Sequence, residues 1–374
     1  ISYAWLVSRD LRPWKSVPRA AILIATIAMV VRMVPNALLP MGAGYDVESY
    51  GIVGDLVLGG EDVYGSAQAV NRHPYLPFQM YWMAFSRWLS DCTGVRFVKI
   101  VRLAPIEADV AIAVAVFILV RRMGSQKRAL RGGLLYALNP IPVFVSAYHG
   151  QFDAIPALFL LLSVMIWGRS ALASGGWLGL GILSKSWPVL ALPSLWAAME
   201  TWRKKVVFLV GTATIPVIGI GVYLLLFPGE VSVVLSRALG YNWGVGVWGY
   251  TYFFRLAAIV RPGLTGAFQW MVENARYLTL AVLGVAWIVR ARKESPTAGI
   301  LTVLVTFVAA THAFSVQYLM WVVPFAVLSE DDRWLTRYTL AGFAYMFLVY
   351  MTLILETHVT NLLPWPEADW FVII

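Results

Sequence analysis

The sequence has 374 residues, of which 60% are hydrophobic and only 13% are charged, and its mean hydropathy is +0.71. A soluble domain is about 25% charged and about half apolar, so this composition excludes a soluble globular protein and indicates a polytopic membrane protein. Because no hydrophilic stretch is long enough to form a soluble domain, we interpret residues 1–374 as a single membrane domain.

The formal net charge is +9, but the Lys and Arg residues lie mostly in short clusters at the ends of apolar runs. This distribution is typical of cytoplasmic loops between membrane spans and not of a nucleic-acid-binding stripe. We therefore expect membrane lipids, and no nucleic acid, as partners. The single cysteine, Cys92, excludes an intramolecular disulfide and a Cys-based metal cluster in this chain.

The apolar runs predict an all-α fold, a polytopic transmembrane helical bundle of about 10–11 membrane helices. The predicted spans are residues 20–39, 104–120, 132–148, 155–167, 177–200, 206–227, 277–289, 299–311, 319–328 and 335–355. The basic residues before the first span, Arg9 to Arg19, predict a cytoplasmic N-terminus in the cytoplasmic (plasma) membrane. The densest basic cluster, Arg121 to Arg131, is likewise expected inside. This orientation places the polar segments described next on the external or periplasmic face.

Three segments depart from simple spans. Residues 41–103 are predicted to form the first external loop, with an interfacial helix over residues 74–89. Residues 228–270 are predicted to form an aromatic external loop, either a membrane-interface belt or a platform for sugar or lipid. Residues 177–200 contain Lys185 and Pro188 in an apolar run, which predicts a re-entrant hairpin that turns near these two residues.

The first external loop concentrates acidic residues between residues 41 and 77. Such a loop cannot lie in hydrocarbon, because its carboxylates and backbone would be unsatisfied there. Asp46 follows the outer end of the first span, and a carboxylate at the membrane edge can deprotonate an acceptor hydroxyl that lies within reach. The alternative is that Asp46 is a solvated acid that caps the next helix. Asp46 and Glu48 would also suit a divalent cation, but short acidic pairs are common, and no metal or other cofactor is assigned.

Lys185 lies deep in an apolar run, where a charge costs roughly 2.5–3.5 kcal/mol to insert, and it therefore needs a partner. The phosphate of an anionic lipid is one candidate, whereas pairing with Asp153 or snorkelling to the interface are structural alternatives. Polar residues predicted on the same face could bind phosphate or sugar hydroxyls, although a lone His is as often a structural hydrogen-bonding residue. Glu107 and Asp109 either pair with Arg102 or line a cavity.

Four stretches, in this order, carry a family resemblance. They are GYDVESY at residues 44–50 with LGGEDVY at 58–64 and PYLP at 74–77, then AYHGQFDAI at 147–155, GLGILSKSWP at 179–188 and SVQYLMW at 315–321. Together they resemble the motifs of GT-C membrane glycosyltransferases, and are similar to those of polyprenyl-phosphate-mannose-dependent mannosyltransferases, both the bacterial enzymes and the first mannosyltransferase of glycosylphosphatidylinositol anchor synthesis. The resemblance covers most of the chain.

The resemblance implies an inverting glycosyltransferase that moves a monosaccharide, mannose, from a polyprenyl-phosphate sugar donor to a hydroxyl of a glycolipid or glycan acceptor. It implies that Asp46 is the catalytic carboxylate and that Lys185 and the His312–Gln317 region lie near the lipid phosphate. Glu48 departs from the family pattern, where a second Asp stands. The expected substrate-binding residues are Glu48, Tyr50, Tyr64, His149, Gln151, Asp153, Lys185, His312 and Gln317.

The alternative from another functional class is a membrane transporter or lipid flippase. Such proteins contain paired broken helices related by a repeat, with ionisable residues near the middle of the bilayer. The sequence indicates one broken helix, at Lys185, and its acids cluster in loops. These features favour the transferase.

Overall fold

The computed structural model describes residues 17–39, 44–240, 245, 249–329 and 331–349. Every regular element in these ranges is a helix, and the predicted all-α fold is confirmed. The basic residues that predict the orientation of the N-terminus, Arg9 to Lys15, lie outside the described residues. So do the residues after 349 and several aromatic residues between 241 and 248.

The N-terminal half begins with an apolar helix and continues with short helices over the segment predicted as an external loop. These helices are α1 Val17–Leu38, α2 Gly44–Leu58, α3 Gln79–Thr93, α4 Phe97–Val101, α5 Leu103–Met123 and α6 Gln126–Ala137. Within the predicted external loop over residues 41–103, α3 overlaps the helix predicted over residues 74–89, and α2 and α4 are helices that the sequence did not predict. The external position of this segment stays a prediction. Helix α2 has an exposed side that carries Glu48 and Asp55 and a buried side that carries Tyr50, Val53 and Leu56.

The predicted span over residues 132–148 is broken in two. Helix α6 ends at Ala137, and the Asn139 side chain then caps the next helix, α7 (Pro140–Val143), by accepting a hydrogen bond from the Ile141 amide at 3.0 Å. A π-helical segment, Phe144–His149, follows and ends at Gly150, whose φ is 86°. A left-handed residue of this kind ends a helix abruptly and is most readily supplied by glycine.

The next helices include the predicted break near Lys185 and Pro188, whereas the re-entrant path of this hairpin in a membrane stays a prediction. They are α8 Ala154–Ile166, α9 Ala171–Ser184, α10 Leu192–Ala197 and α11 Trp202–Leu226, with a 3₁₀ turn at Trp187–Ala191. Helices α9 and α11 approach so closely that a Cβ at Gly175 would lie 2.2 Å from the Phe208 carbonyl oxygen. Small residues allow membrane helices to pack backbone against backbone in this way.

The C-terminal part contains α12 Val231–Leu239, α13 Tyr250–Val260, α14 Thr265–Val289, α15 Pro296–Ala310, α16 Leu319–Ser329 and α17 Asp332–Val349. The predicted aromatic loop over residues 228–270 is thus largely helical where it is described. The polar first turns of α14 resemble a loop in composition, but the helix continues through them. Helix α16 lies at the centre of the molecule, with every residue from Leu319 to Leu328 buried.

Four helical stretches are long and apolar enough to cross a membrane, namely Arg19–Leu38, Phe97–Met123, Trp202–Leu226 and Pro262–Lys293. Other apolar helices have 10–17 residues, because prolines and the π segment divide the predicted spans. The number of 10–11 membrane helices stays a prediction.

The basic ends of several helices meet on one face of the bundle. Arg131 Nη2 lies 2.6 Å from Asp332 Oδ2, a contact that joins α6 to the start of α17. Arg122 Nη1 donates a 2.9 Å hydrogen bond to the Met165 carbonyl oxygen near the end of α8. Arg102, just before α5, contacts the Tyr148 carbonyl oxygen near the Gly150 turn, about 30 Å along α5 from Arg122. The contacts of His149 with Asp46 and of Gln151 with Lys185 place the start of α2 and the α9–α10 turn at this opposite face too. Which face is cytoplasmic stays a prediction.

A buried ion pair joins the helices between the two faces. Arg32 Nε lies 2.6 Å from Asp109 Oδ2, and both side chains are fully buried. Tyr136 Oη donates a 2.5 Å hydrogen bond to Asp109 Oδ1, and Ser146 Oγ donates a 2.7 Å hydrogen bond to Oδ2. Asp109, which the sequence placed either in a pair with Arg102 or on a cavity wall, pairs with Arg32 instead, because helix packing brings that guanidinium to the buried carboxylate.

Arg102 has other partners, the carbonyl oxygens of Leu39 and Tyr148. Its guanidinium thereby links the end of α1 to the π segment. Glu107 is exposed.

Candidate active site

Asp46 occupies the first turn of α2, at the face opposite the basic cluster. His149 Nε2 lies 2.6 Å from Asp46 Oδ2, and Gln151 Nε2 donates a 2.8 Å hydrogen bond to the same oxygen. The Asp46 side chain is 28% exposed, whereas that of His149 is 6% exposed. Asp46 is thus the member of this group that a bound molecule would reach, and His149 and Gln151 hold it in place.

These neighbours keep the Asp46 carboxylate ionised. Burial acts to raise the pKa of Asp46, but the hydrogen bond and charge of His149, the Gln151 hydrogen bond and the charge of Lys185 act against it. The result is a pKa below the ordinary value for aspartate, about 3.9. At neutral pH the group is therefore a carboxylate that can accept a proton or stabilise positive charge.

Gln151 connects Asp46 to a second group of buried polar residues. Its Oε1 accepts a 3.4 Å hydrogen bond from Lys185 Nζ, which also donates a 2.7 Å hydrogen bond to Asp153 Oδ2. The other Asp153 oxygen accepts a 2.6 Å hydrogen bond from Trp321 Nε1. Because an ammonium can only donate and a carboxylate only accept, these partners determine which way the Gln151 amide faces. The pairing of Lys185 with Asp153, which the sequence left as an alternative, is the one that forms.

Breaks in the helices bring this network together. The π segment and the left-handed Gly150 turn the chain so that His149 and Gln151 both face Asp46. Helix α9 ends at Ser184, so Lys185 lies in an extended conformation at the start of the α9–α10 turn. A continuous helix through either point would carry these side chains away from the Asp46 carboxylate.

Aromatic side chains surround the Lys185 ammonium. The Tyr75 ring centroid is 5.0 Å from Lys185 Nζ, and the Trp187 and Trp321 rings stack with centroids 4.5 Å apart. The Tyr318 ring centroid lies 4.2 Å from that of Trp321. Tyr75 and Trp321 belong to the motifs quoted above, but no role was predicted for either, because their contacts come from distant parts of the chain.

Tyr50 and Tyr64, predicted to bind substrate, lie behind the site in the structure. Tyr50 is 2% exposed, and its ring packs 4.7 Å from that of Phe152. Tyr64 is 3% exposed, and its hydroxyl donates a 2.6 Å hydrogen bond to the Tyr75 carbonyl oxygen. Both side chains support the segments that carry Gln151 and Tyr75.

His312 and Gln317 lie in the loop before α16. His312 Nδ1 is 3.1 Å from Thr279 Oγ1 of α14, and burial together with the charge of Arg276 lowers the pKa of His312. Gln317 Oε1 accepts a hydrogen bond from Ser315 Oγ. Neither side chain has a described hydrogen bond to Asp46 or Lys185, and their role in binding the donor stays a prediction.

Glu48 lies on the exposed side of α2, with its side chain 61% exposed and its Oε1 3.3 Å from Arg72 Nη2. Arg72 was not singled out from the sequence, although it is a basic residue in a segment rich in acids. Within the described ranges, no group of three or more His, Cys, Asp or Glu side chains could hold a metal ion. Metal independence stays a prediction.

An apolar cavity of about 530 Å³ opens among α13, α15, α16 and α17. Its walls include Tyr252, Phe253, Phe314, Leu319, Tyr338 and Tyr345. The Phe314 ring lies 6.1 Å from that of Tyr318, so one wall of the cavity adjoins the aromatic residues around Lys185.

No protein-family model matches this chain, and no curated protein matches its sequence. Among solved structures, it is similar to the crystal structure of the oligosaccharyltransferase of Archaeoglobus fulgidus in complex with zinc and sulfate. The two share 13% sequence identity with a TM-score of 0.48, over 88% of this chain and 51% of the archaeal one. This chain therefore spans about half the length of that protein.

Proposed function

We propose that this protein is an inverting GT-C-type glycosyltransferase. It moves a monosaccharide, mannose, from a polyprenyl-phosphate donor to a hydroxyl of a glycolipid or glycan at the external face of the membrane. One observation carries the proposal. The four separate stretches that resemble GT-C motifs contribute Asp46, Gln151 with Asp153, Lys185 and Trp321 to one connected hydrogen-bond network.

In the proposed reaction Asp46 is the general base. As the acceptor oxygen attacks the anomeric carbon, the Asp46 carboxylate takes the hydroxyl proton, and the bond between that carbon and the phosphate oxygen breaks. The polyprenyl phosphate leaves with the bonding electrons, and the single displacement inverts the anomeric configuration. His149 and Gln151 hold the carboxylate in its orientation, so little reorganisation accompanies the proton transfer.

The apolar cavity supports a lipid-linked donor. Its aromatic and aliphatic walls match the isoprenoid chain of a polyprenyl phosphate in polarity, and it adjoins the aromatic residues next to Lys185. A site at the membrane edge also suits a donor that is held in the bilayer, because the donor's phosphate and sugar would lie at the level of Asp46.

Two structural features bear on the transporter alternative. The chain has a second broken helix, at residues 138–149, which the sequence did not indicate, and it has ionisable residues in its interior, Arg32 and Asp109. That pair is fully buried, and Asp109 is satisfied by Arg32, Tyr136 and Ser146. The Arg32–Asp109 pair therefore holds helices together, and its carboxylate is not accessible to a transported molecule. The Asp46 carboxylate, in contrast, is accessible.

The experiment is a transfer assay with the purified full chain, a polyprenyl-phosphate-mannose donor and a panel of glycolipid acceptors. We expect Asp46→Asn to lower turnover by roughly 10²–10⁴-fold, the contribution typical of a general base, with an unchanged melting temperature. Asp55→Asn is the matched control. Asp55 lies on the same helix in an exposed pair with Arg87, so its loss should leave transfer unchanged.

Wild-type turnover in Asp46→Asn would refute Asp46 as the base and direct attention to Glu48. Lipid movement across vesicles by the wild-type chain, without any sugar transfer, would establish the flippase alternative instead.

A further inference from the structure

We infer that Arg72, and not Lys185, binds the phosphate group of the lipid-linked substrate, and that Glu48 is the counter-ion which this phosphate displaces. The inference rests on the proposed function only for the identity of the anion. Arg72 was not among the anion-binding residues predicted from the sequence.

Lys185 is poorly suited to this role in the structure. Its ammonium lies 2.7 Å from Asp153 Oδ2, and the side chains of Lys185 and Asp153 are 9% and 0% exposed. Drawing Lys185 away to a phosphate would leave the Asp153 carboxylate buried without its cation, which is strongly unfavourable. The positive charge of Lys185 is therefore already compensated, and its contact with Gln151 makes it a positioning residue for Asp46.

Arg72 is more accessible and less firmly paired. Its side chain is 23% exposed, and its partner Glu48 lies 3.3 Å away with a 61% exposed side chain. Arg72 Nη1 also donates a 3.3 Å hydrogen bond to Ser49 Oγ. These contacts are longer than the 2.7–2.9 Å typical of a charge-assisted hydrogen bond, and exposed ion pairs contribute little. A phosphate can therefore replace Glu48 at small cost.

Arg72 lies close enough to the first turn of α2 to contact a ligand that is bound at Asp46. Its guanidinium carbon lies 4.9 Å from the centroid of the Tyr45 ring, which precedes Asp46 in the first turn of α2. A planar guanidinium held against a ring can present two N–H groups in the geometry that phosphate oxygens accept. A phosphate bound to Arg72 would lie beside the turn that carries Asp46. The proposed reaction requires this, because the sugar attached to that phosphate must be near the base.

A structural role is the competing explanation, because Arg72 also ties its own segment to the start of α2. The two roles differ in what they change. Loss of a structural tie lowers the melting temperature and the turnover, whereas loss of a phosphate ligand removes the preference for a charged lipid over an uncharged one.

The test measures binding of two probes, polyprenyl phosphate and uncharged polyprenol of the same chain length, to the full chain in detergent. We expect wild type to prefer the phosphate, and Arg72→Gln to lose roughly 10- to 100-fold of that preference, the contribution typical of a charge-assisted hydrogen bond. Arg72→Lys should keep part of it. Glu48→Gln should keep or increase it, because the competing carboxylate is gone.

Arg87→Gln is the matched control. Arg87 is also an exposed arginine that pairs with an acid of α2, in this case Asp55 at 2.8 Å. Asp55 lies about two and a half helical turns beyond Asp46. The loss of Arg87 should leave the preference unchanged. An equal loss in Arg87→Gln would mean that general surface charge causes the effect, and would overturn the inference.

The Arg72 and Lys185 variants and inorganic phosphate give the other outcomes that test the inference. An unchanged preference in Arg72→Gln, or a loss in Lys185→Met alone, would refute the inference. Inorganic phosphate that competes as well as polyprenyl phosphate would show a site for free phosphate and overturn the lipid assignment. If Arg72 determines the preference but wild type transfers no sugar, the inference holds and the proposed function fails.

Discussion

At the scale of single residues, the ionisation of Asp46 depends on the side chains packed around it. The pKa of Asp46 lies below its ordinary value because the hydrogen bonds and charges of His149, Gln151 and Lys185 outweigh the effect of burial. Removing one of these partners must raise that pKa. If transfer requires the ionised carboxylate, kcat/KM will then begin to fall at a higher pH on acidification.

We therefore predict that His149→Phe moves the acid limb of the pH profile of kcat/KM to higher pH. His73→Phe is the matched control, because burial lowers the pKa of His73 to about 3 and the imidazole stays neutral over the measured range. Neither ring nitrogen of His73 has a hydrogen-bond partner in the part of the chain that the structure describes, so phenylalanine should be tolerated. If the acid limb of the pH profile is the same in His149→Phe and wild type, a group other than Asp46 determines the fall of kcat/KM in acid.

At the scale of elements, the turn after the π segment positions two of the residues that contact Asp46. Gly150 has φ 86°, and a Cβ there would lie 3.1 Å from Arg102 Cγ. We predict that Gly150→Ala costs about 1–2 kcal/mol of stability from the left-handed backbone alone, and that it lowers turnover by displacing His149 and Gln151.

Thermal unfolding in detergent and the transfer assay together check this prediction. Gly176→Ala is the control, because Gly176 lies inside α9 and a Cβ there would meet nothing within 4 Å. It should leave turnover unchanged and not lower stability. Equal effects of the two substitutions would refute a special role for the Gly150 turn.

The buried pair of Arg32 and Asp109 stabilises the junction of α1, α5 and α6. Arg32 Nη1 also donates a 2.8 Å hydrogen bond to the carbonyl oxygen of Ala137, at the point where α6 breaks. We predict that Asp109→Leu, which leaves Arg32 buried without its counter-ion, costs roughly 3–5 kcal/mol in thermal or denaturant unfolding.

The double substitution Arg32→Met with Asp109→Leu should recover much of that loss, because no unpaired charge remains. If the double variant is as unstable as the sum of its single variants, the two residues are not energetically coupled. The ion pair would then contribute less to the stability of the junction at the end of α6 than its short distances indicate.

At the scale of the whole molecule, the orientation in the membrane determines whether the proposed site faces a lipid-linked donor outside the cell. Cys92, the sole cysteine of the sequence, is exposed near the end of α3. We predict that a membrane-impermeant maleimide labels Cys92 in intact cells that express the chain.

Two variants control this experiment. Cys92→Ser should not be labelled, and Lys127→Cys in that background should be labelled only after the membrane is permeabilised, because Lys127 lies in the basic cluster predicted inside. The reverse pattern would place Asp46 in the cytoplasm and exclude a donor held at the external face.

Much of the fold was predictable from the sequence because hydropathy and charge act locally. The apolar runs predicted the apolar helices α1, α5, α8 and α11 to within a few residues, and Lys185 with Pro188 predicted the turn after α9. Asp46 was singled out because its neighbours are polar and its position follows a span. In each case the deciding information lies within about one helical turn or one span.

The partners of the charged residues were decided only by the tertiary structure. Nothing in the local sequence indicates that Arg32 reaches Asp109 across 77 positions, that Gln151 joins Asp46 to Lys185, or that Arg72 lies against Tyr45. These contacts depend on how broken helices pack, because a buried charge takes whichever partner the packing brings within hydrogen-bond distance. The sequence by itself therefore determined a helical membrane protein with a candidate catalytic carboxylate next to its first apolar helix, and packing determined which residues hold that carboxylate and which cation stays accessible beside it.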